Sequence, residues 1–92
     1  MGFWPTMLQL MFTVYILKSL KASKSYVGYT AINPKERLRE HNIGSNKWTR
    51  SNGPFKLVYY EKFVCKTDAI LREKFLKSGQ GYKLKKLIIE NF

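Results

Sequence analysis

The chain has a single cysteine, Cys65. An intrachain disulfide and a cysteine-based metal cluster are therefore both excluded. That usage fits a reducing, cytoplasmic setting, with Cys65 read as an ordinary strand residue. The sequence has no glycine-rich phosphate loop of the Walker type, no Cys/His spacing for zinc and no serine-nucleophile elbow. ATP-driven and zinc-based chemistry are left without support. Acidic residues are scarce: six Asp and Glu stand against seventeen Lys and Arg, a formal net charge of +11. On 92 residues such a surplus attracts polyanions, nucleic acid before anionic membrane. The length suits one domain with one modest core. The 45% hydrophobic fraction is that of a globular chain rather than a disordered one. There is no internal repeat and no linker.

Charge is absent from Met1 to Leu17, and that stretch is mostly apolar. It lacks the basic start and small-residue cleavage site of a signal peptide. It only touches the lower length limit of a membrane span, and Pro5 and Gln9 interrupt it. Met1-Gly2 followed by Thr6 formally fits an acylation pattern, but bulky Phe3, Trp4 and Pro5 argue against it. Residues 1–10 are read as an N-terminal extension upstream of a second candidate start at Met11. The folded domain is expected over residues 11–92, with no membrane anchor.

What is present begins with two β-branched and aromatic runs. Phe12 to Leu17 and Tyr26 to Thr30 suit two strands, joined by a Lys- and Ser-rich connection with frayed strand ends. If they pair, Tyr15 and Tyr26 approach each other on one sheet face, and Gly28 opens the backbone to close approach. Strand tyrosines are usually packing residues, so both readings stand. Asn33-Pro34-Lys35-Glu36 predicts a helix start: Asn33 caps, Pro34 takes the first position, and Glu36 completes a capping-box-like arrangement. That helix should end near His41 or Asn42, with Gly44 as the stop. A polar, basic loop then runs to Pro54. A third strand is expected from Phe55 to Val64, with Leu57, Tyr59 and Glu61 on one face and Val58, Tyr60 and Lys62 on the other. Thr67 is expected to cap a second helix through Lys77. Ser78-Gly79-Gln80-Gly81 breaks it, and Tyr82 to Asn91 forms a third with Leu84, Leu87 and Ile88 on one stripe. The order β-β-α-β-α-α makes an α+β fold, a three-stranded antiparallel sheet with helices around it.

Several side chains in this frame carry chemistry. Arg37 and His41, spaced i and i+4, share a helix face. An arginine there can hold a phosphate through its planar fork, and a histidine can position water, relay a proton or hydrogen-bond a tyrosine; a solvated charged face is the plainer reading. Glu73 falls on the same side of its helix as Ala69, Ile70 and Leu76. A carboxylate beside a core stripe needs a partner: Arg37, Lys77 or a metal ion. Trp48 lies between Lys47 and Arg50, where it can stack on a base or cover the core. Lys83, Lys85 and Lys86 form a basic patch that suits phosphate contact or plain solvation.

The tripeptides Val14-Tyr15-Ile16 and Tyr26-Val27-Gly28, about ten residues apart, resemble the signature of the GIY-YIG nuclease superfamily, with Val in place of the first Gly. The order Tyr15, Tyr26, Arg37, His41, Glu73 continues the match, and the segment from about Met11 to Phe92 is similar to small stand-alone members. The resemblance implies the superfamily's α/β layered fold. It also implies an endonuclease that hydrolyses nucleic-acid phosphodiesters, DNA first, with an association with DNA repair. One divalent ion, Mg²⁺ or Mn²⁺, would be held by Glu73. Tyr15 would act as general base or orient the attacking water, and Tyr26 would hydrogen-bond the phosphate or water, with Tyr29 a weaker candidate. Arg37 would neutralise developing charge, and His41 would assist. Many members carry an Asn about a dozen residues after the glutamate, where this chain has Lys85. Relatives are often fused to a DNA-targeting domain. With none here, a partner protein for targeting is one expectation, and the oligomeric state stays open. The rival reading is a non-catalytic DNA- or RNA-binding module on the same fold. A third, a basic membrane-surface protein, rests only on charge and the apolar N-terminus.

Overall fold

Thr13 to Leu17 are buried without a break, the pattern of a strand covered on both faces, and this stretch becomes the central strand. The computed structural model describes residues 11–44 and 47–91; the extension over residues 1–10, together with Ser45, Asn46 and Phe92, lies outside them. β1 (Phe12–Ser19) pairs antiparallel with β2 (Ser25–Thr30) on one side and β3 (Phe55–Phe63) on the other, in the order β2-β1-β3. Four helices flank this sheet: α1 (Pro34–Asn42), α2 (Lys47–Asn52), α3 (Lys66–Lys77) and α4 (Tyr82–Asn91). The α+β architecture is the expected one, with one helix more. α2 occupies the segment read as a loop. It spans only six residues, too short for a hydrophobic period to declare itself.

The hairpin is tighter than its composition suggested. Its strands extend to Ser19 and Ser25, leaving only Leu20–Lys24 to connect them. Buried Ser19 accounts for this. Its N–H donates to the Lys24 carbonyl at 2.9 Å. Its hydroxyl accepts from the N–H groups of Lys21 and Ala22 and donates to the Asn52 carbonyl at 2.7 Å, tying the turn to α2.

The two sheet faces hold two cores. Val14, Ile16 and Val27 pack under Ala69 and Leu76 of α3 and Ile88 of α4, with Tyr29, Tyr59 and Phe63 around them. Tyr15, Leu17 and Phe55 face the other way, with Tyr26 and Leu38. Each large apolar side chain so buried contributes roughly 1.5–3 kcal/mol. Leu57 and Tyr59, expected to share a face, do not. Tyr59 pairs with Ile16 while Leu57 pairs with Leu17, leaving Val58 as an extra residue in the ladder. This β-bulge sends Leu57 to the Tyr15 core and both Val58 and Tyr59 to the Ile16 core. Arg72 of α3 then grips Glu61 of β3 through two bonds of 2.7 and 2.9 Å, and Tyr59 donates to the same carboxylate.

α1 begins at Asn33 and Pro34 as expected, but among the described residues Glu36 makes no capping-box bond back to Asn33. Asn33 Oδ1 accepts from the Lys35 N–H at 2.8 Å, Pro34 fills the first turn, and Gly44 takes the positive φ of 81° just past the end. An unanticipated clamp closes its C-terminus. Asn42 accepts from the Phe55 N–H at 2.7 Å and donates to the Phe55 carbonyl at 3.2 Å, anchoring α1 to the start of β3. α3 begins two residues earlier than expected. Cys65 is its N-cap, without a side-chain bond, and Thr67 lies inside the first turn. Asp68 in that turn compensates in part, since a carboxylate there complements the helix dipole.

Candidate active site at the edge of the sheet

β1 positions Tyr15 by burying it to 1% exposure, with its ring on the α1 face of the sheet. Its cross-strand partner on β2 is Gly28. A β-carbon at that glycine would stand 2.6 Å from the Tyr15 hydroxyl, so the bare backbone there is what lets the phenol reach the outer strand. Tyr26, two residues earlier on β2 and on the same face, brings its ring to 6.2 Å from that of Tyr15. The tyrosine pair predicted from the two tripeptides is therefore present as a stacked pair.

α1 delivers the next two groups. His41, with no exposure at all, bonds the Tyr15 hydroxyl through Nε2 at 3.0 Å. Its ring also lies 4.7 Å from that of Tyr26. Its Nδ1 is buried and has no hydrogen-bond partner among the described residues. Burial, then the nearby Arg37 charge, hold the imidazole below its ordinary pKa, with Glu40 opposing weakly. His41 is thus neutral at pH 7. Arg37 sits one turn back. It pairs with Glu40 at 2.5 Å and still lies close enough to lower the pKa of Tyr15. The solvated-face reading fails for His41, which faces inward, and holds in part for Arg37.

Glu73 comes from the opposite layer, on α3, which packs against β1 and β2. Its side chain is 17% exposed, and its charge acts on Tyr15. Of the partners considered for it, Arg37 pairs with Glu40, and Lys77, itself exposed, lies at 3.4 Å as an i,i+4 partner. Burial dominates at Tyr15. It outweighs the relief from Arg37 and, joined by the charges of Tyr26 and Glu73, pushes the phenol up to about 12.

The donor set bears on a metal ion. No group of three His, Cys, Asp or Glu side chains that could enclose an ion occurs among the described residues. A zinc-type or all-protein cage is therefore out of reach of these side chains. Glu73, paired among the described residues with the exposed Lys77, does fit a hard cation. Such ions commonly take one carboxylate and complete their shell with water and substrate phosphates.

The remaining candidates separate. Trp48 of α2 packs 5.7 Å from Tyr26 and 5.6 Å from Phe55, yet stays 38% exposed. It covers the core with one part of its ring and extends the tyrosine cluster towards solvent with the rest. Lys47 is exposed beside it. Arg50 folds back over Gly44, donating to its carbonyl at 3.2 Å, and so caps α1. Tyr29 points to the α3 core, away from the site. Lys85 and Lys86 line a groove on the α4 side of the sheet, and exposed Lys83 lies outside it. The Asn42 clamp and the Glu61–Arg72 pair, which hold α1 and α3 in place, were not among the sequence-derived candidates. Their partners meet only through the strand register, and no spacing signals them.

Comparison with known proteins shows the family of this chain. The family model described as the GIY-YIG catalytic domain matches residues 11–85. A UPF0213 protein of Clostridium perfringens is 46% identical over 65 residues, covering 70% of this chain and 68% of the relative. One from Oceanobacillus iheyensis is 40% identical over 76 residues, covering 82% of this chain and 86% of the relative. The solution NMR structure of a UPF0213 protein from Bacillus halodurans superposes with a TM-score of 0.52 at 34% identity, over 85% of this chain and 82% of that one. With the two tyrosines, Arg37, His41 and Glu73 spanning the matched segment, the chain belongs to the GIY-YIG family.

Proposed function

We propose that the protein is a metal-dependent endonuclease that hydrolyses nucleic-acid phosphodiesters, with DNA as the substrate. The observation that carries this reading is the Tyr15 hydroxyl. It passes over Gly28, bonds His41 and lies under the opposing charges of Arg37 and Glu73. A packing tyrosine does not need a glycine cleared for its oxygen.

In this reading Glu73 holds Mg²⁺ or Mn²⁺, which when bound polarises the phosphate and stabilises the leaving oxygen. The chain's own groups do the rest. Arg37, on the face shared with Tyr15, neutralises charge developing on the phosphate. With its pKa near 12, Tyr15 is a phenol at neutral pH, with roughly one molecule in 10⁵ ionised. It therefore orients water or donates to a phosphate oxygen rather than standing ready as a base. The orphan Nδ1 of His41 points the same way. A ring protonated on Nε2 leaves a bare lone pair there instead of a stranded N–H, and donates to the Tyr15 oxygen. Tyr26 supplies a second hydroxyl beside the first. Lys47 and the exposed part of Trp48 border this face and would meet the nucleic acid, with Lys83, Lys85 and Lys86 as further cationic contacts.

The rival, a binding module without catalysis, draws on the same raised Tyr15 pKa and on the Glu73–Lys77 pair. Both would be the resting state of a site that never cuts. The deciding experiment incubates the protein with labelled duplex, branched and single-stranded DNA and with RNA, in Mg²⁺, in Mn²⁺ and in EDTA. Cleavage that EDTA abolishes establishes the nuclease. Binding without cleavage under every condition establishes the module.

A further inference from the structure

Away from the tyrosine cluster, a groove of about 570 Å³ runs between the β1–β2 turn and α4. Pockets that accept a ligand or a polymer segment commonly measure roughly 300–1,000 Å³. Four of its lining side chains are Lys18, Lys24, Lys85 and Lys86, and the single carboxylate is Glu90. Lys18 follows Leu17 on β1, so strand alternation turns it to the face opposite Tyr15. There it meets lysines from α4 that lie more than sixty residues away in sequence. Tyr82 completes the wall. It is 54% exposed, although its helix places Leu84 and Ile88 in the core. The Lys85 amine stands 5.9 Å from the centre of its ring.

A row of lysines alone would suit any polyanion. An exposed aromatic face within the row narrows the choice, because a phosphate has no use for it and a base does. Duplex bases are stacked on one another and cannot offer a free face, whereas an unpaired base can lie on the ring. The placement adds a second argument. Ser25 lines the groove, while its neighbour Tyr26 belongs to the catalytic cluster on the other face. Both stand on β2, which is an edge strand. A polymer leaving the groove has only this edge to round before it reaches the site. We propose that the groove binds a single-stranded nucleic-acid segment, its phosphates on the four lysines and a base stacked on Tyr82, continuous with the strand presented to Tyr15 and Tyr26. This rests on the nucleic-acid reading above and adds to it a substrate with an unpaired region.

The test is fluorescence anisotropy in EDTA, with short labelled single-stranded DNA, single-stranded RNA and duplex DNA of one sequence. The proteins are the parent, Tyr82→Leu and Lys18→Gln/Lys24→Gln. Single strands should bind tighter than duplex. Tyr82→Leu should lose about tenfold of its single-strand affinity, the typical value of one stacked base, with duplex affinity unchanged. The double lysine variant should lower the single-strand salt slope by roughly 1.4, at about 0.7 per phosphate. A preference for DNA or for RNA identifies the strand, and either supports the groove. Equal affinities of parent and Tyr82→Leu for single strands overturn it, as does an equal loss on duplex. Melting curves confirm folding, and exposed Tyr82 makes the variant a mild one. Because binding is read without metal, a protein that holds single strands through Tyr82 yet never cuts keeps the groove and loses the nuclease. One that cuts while Tyr82→Leu binds like the parent keeps the nuclease and loses the groove.

Discussion

Gly28 and Tyr15 face each other across the β1–β2 ladder, and the tyrosine hydroxyl fills the space a glycine β-carbon would take. The Tyr15 ring and the Tyr26 ring also come within 3 Å of that point. Gly28→Ala must therefore displace a phenol that is already buried. It should cost about 1–3 kcal/mol, as overpacking does, seen as a lower melting temperature. Cleavage should fall as well, because the Tyr15–His41 bond is lost. In a Tyr15→Phe background the same alanine should cost less stability, since the nearest clashing atom is gone.

Tyr15→Phe keeps the ring in the core and removes the hydroxyl. It strands the second nitrogen of His41, so the fold should survive with a loss of about 1–3 kcal/mol. Cleavage should drop by roughly 10²-fold or more if the hydroxyl positions water or phosphate. Tyr26→Phe should also impair cleavage. Rates equal to the parent in both variants would reduce the pair to packing.

The pH dependence of stability follows from His41. Its folded pKa lies below the ordinary 6.5, so the unfolded chain binds the proton more readily. Stability is then fully present above about pH 6.5 and is lost as pH falls through the depressed folded value. The slope should reach at most about 1.4 kcal/mol per pH unit from this one group. Melting temperatures of parent and His41→Gln across that window measure it. A parent whose pH profile matches the variant's would remove the effect.

Glu73→Gln separates metal ligand from structural residue. Glu73 is largely buried while its Lys77 partner is exposed, so the pair should be worth no more than about 1 kcal/mol and its loss should lower the melting temperature only slightly. Cleavage should vanish nearly completely, and metal-free affinity for nucleic acid should hold or rise slightly as a negative charge leaves. A variant that melts early and still cuts in Mg²⁺ would exclude the metal role.

Binding should be dominated by phosphate contacts. With seventeen basic residues on this small chain, affinity should weaken steeply with salt and vary little with sequence. It should reach dissociation constants on the order of micromolar or weaker near physiological salt. Titrations at several salt concentrations test this, and an affinity indifferent to salt would remove nucleic acid as the partner.

The sequence by itself determined whatever depends on local preference or on period. A β-branched and aromatic run made β1 a strand, and Asn33-Pro34 and Gly44 set the ends of α1, as read; that β1 lies at the centre of the sheet came only with the strand order. The apolar stripe set α4, although Leu87, expected on it, is exposed and Ile89 packs in the core instead, and the two tripeptides with Arg37, His41 and Glu73 brought out the family. Tertiary structure decided what needs register. One extra residue at Val58 re-aimed half of β3, a change that a period of two cannot announce. The Tyr15 hydroxyl is coupled to His41 because two strands and a helix converge, which no spacing within one element can express. Lys18, Lys24 and Tyr82 were unremarkable in sequence, being scattered between the first strands and the last helix. They form one groove only because the sheet turns alternate residues to opposite faces and α4 packs across one of them.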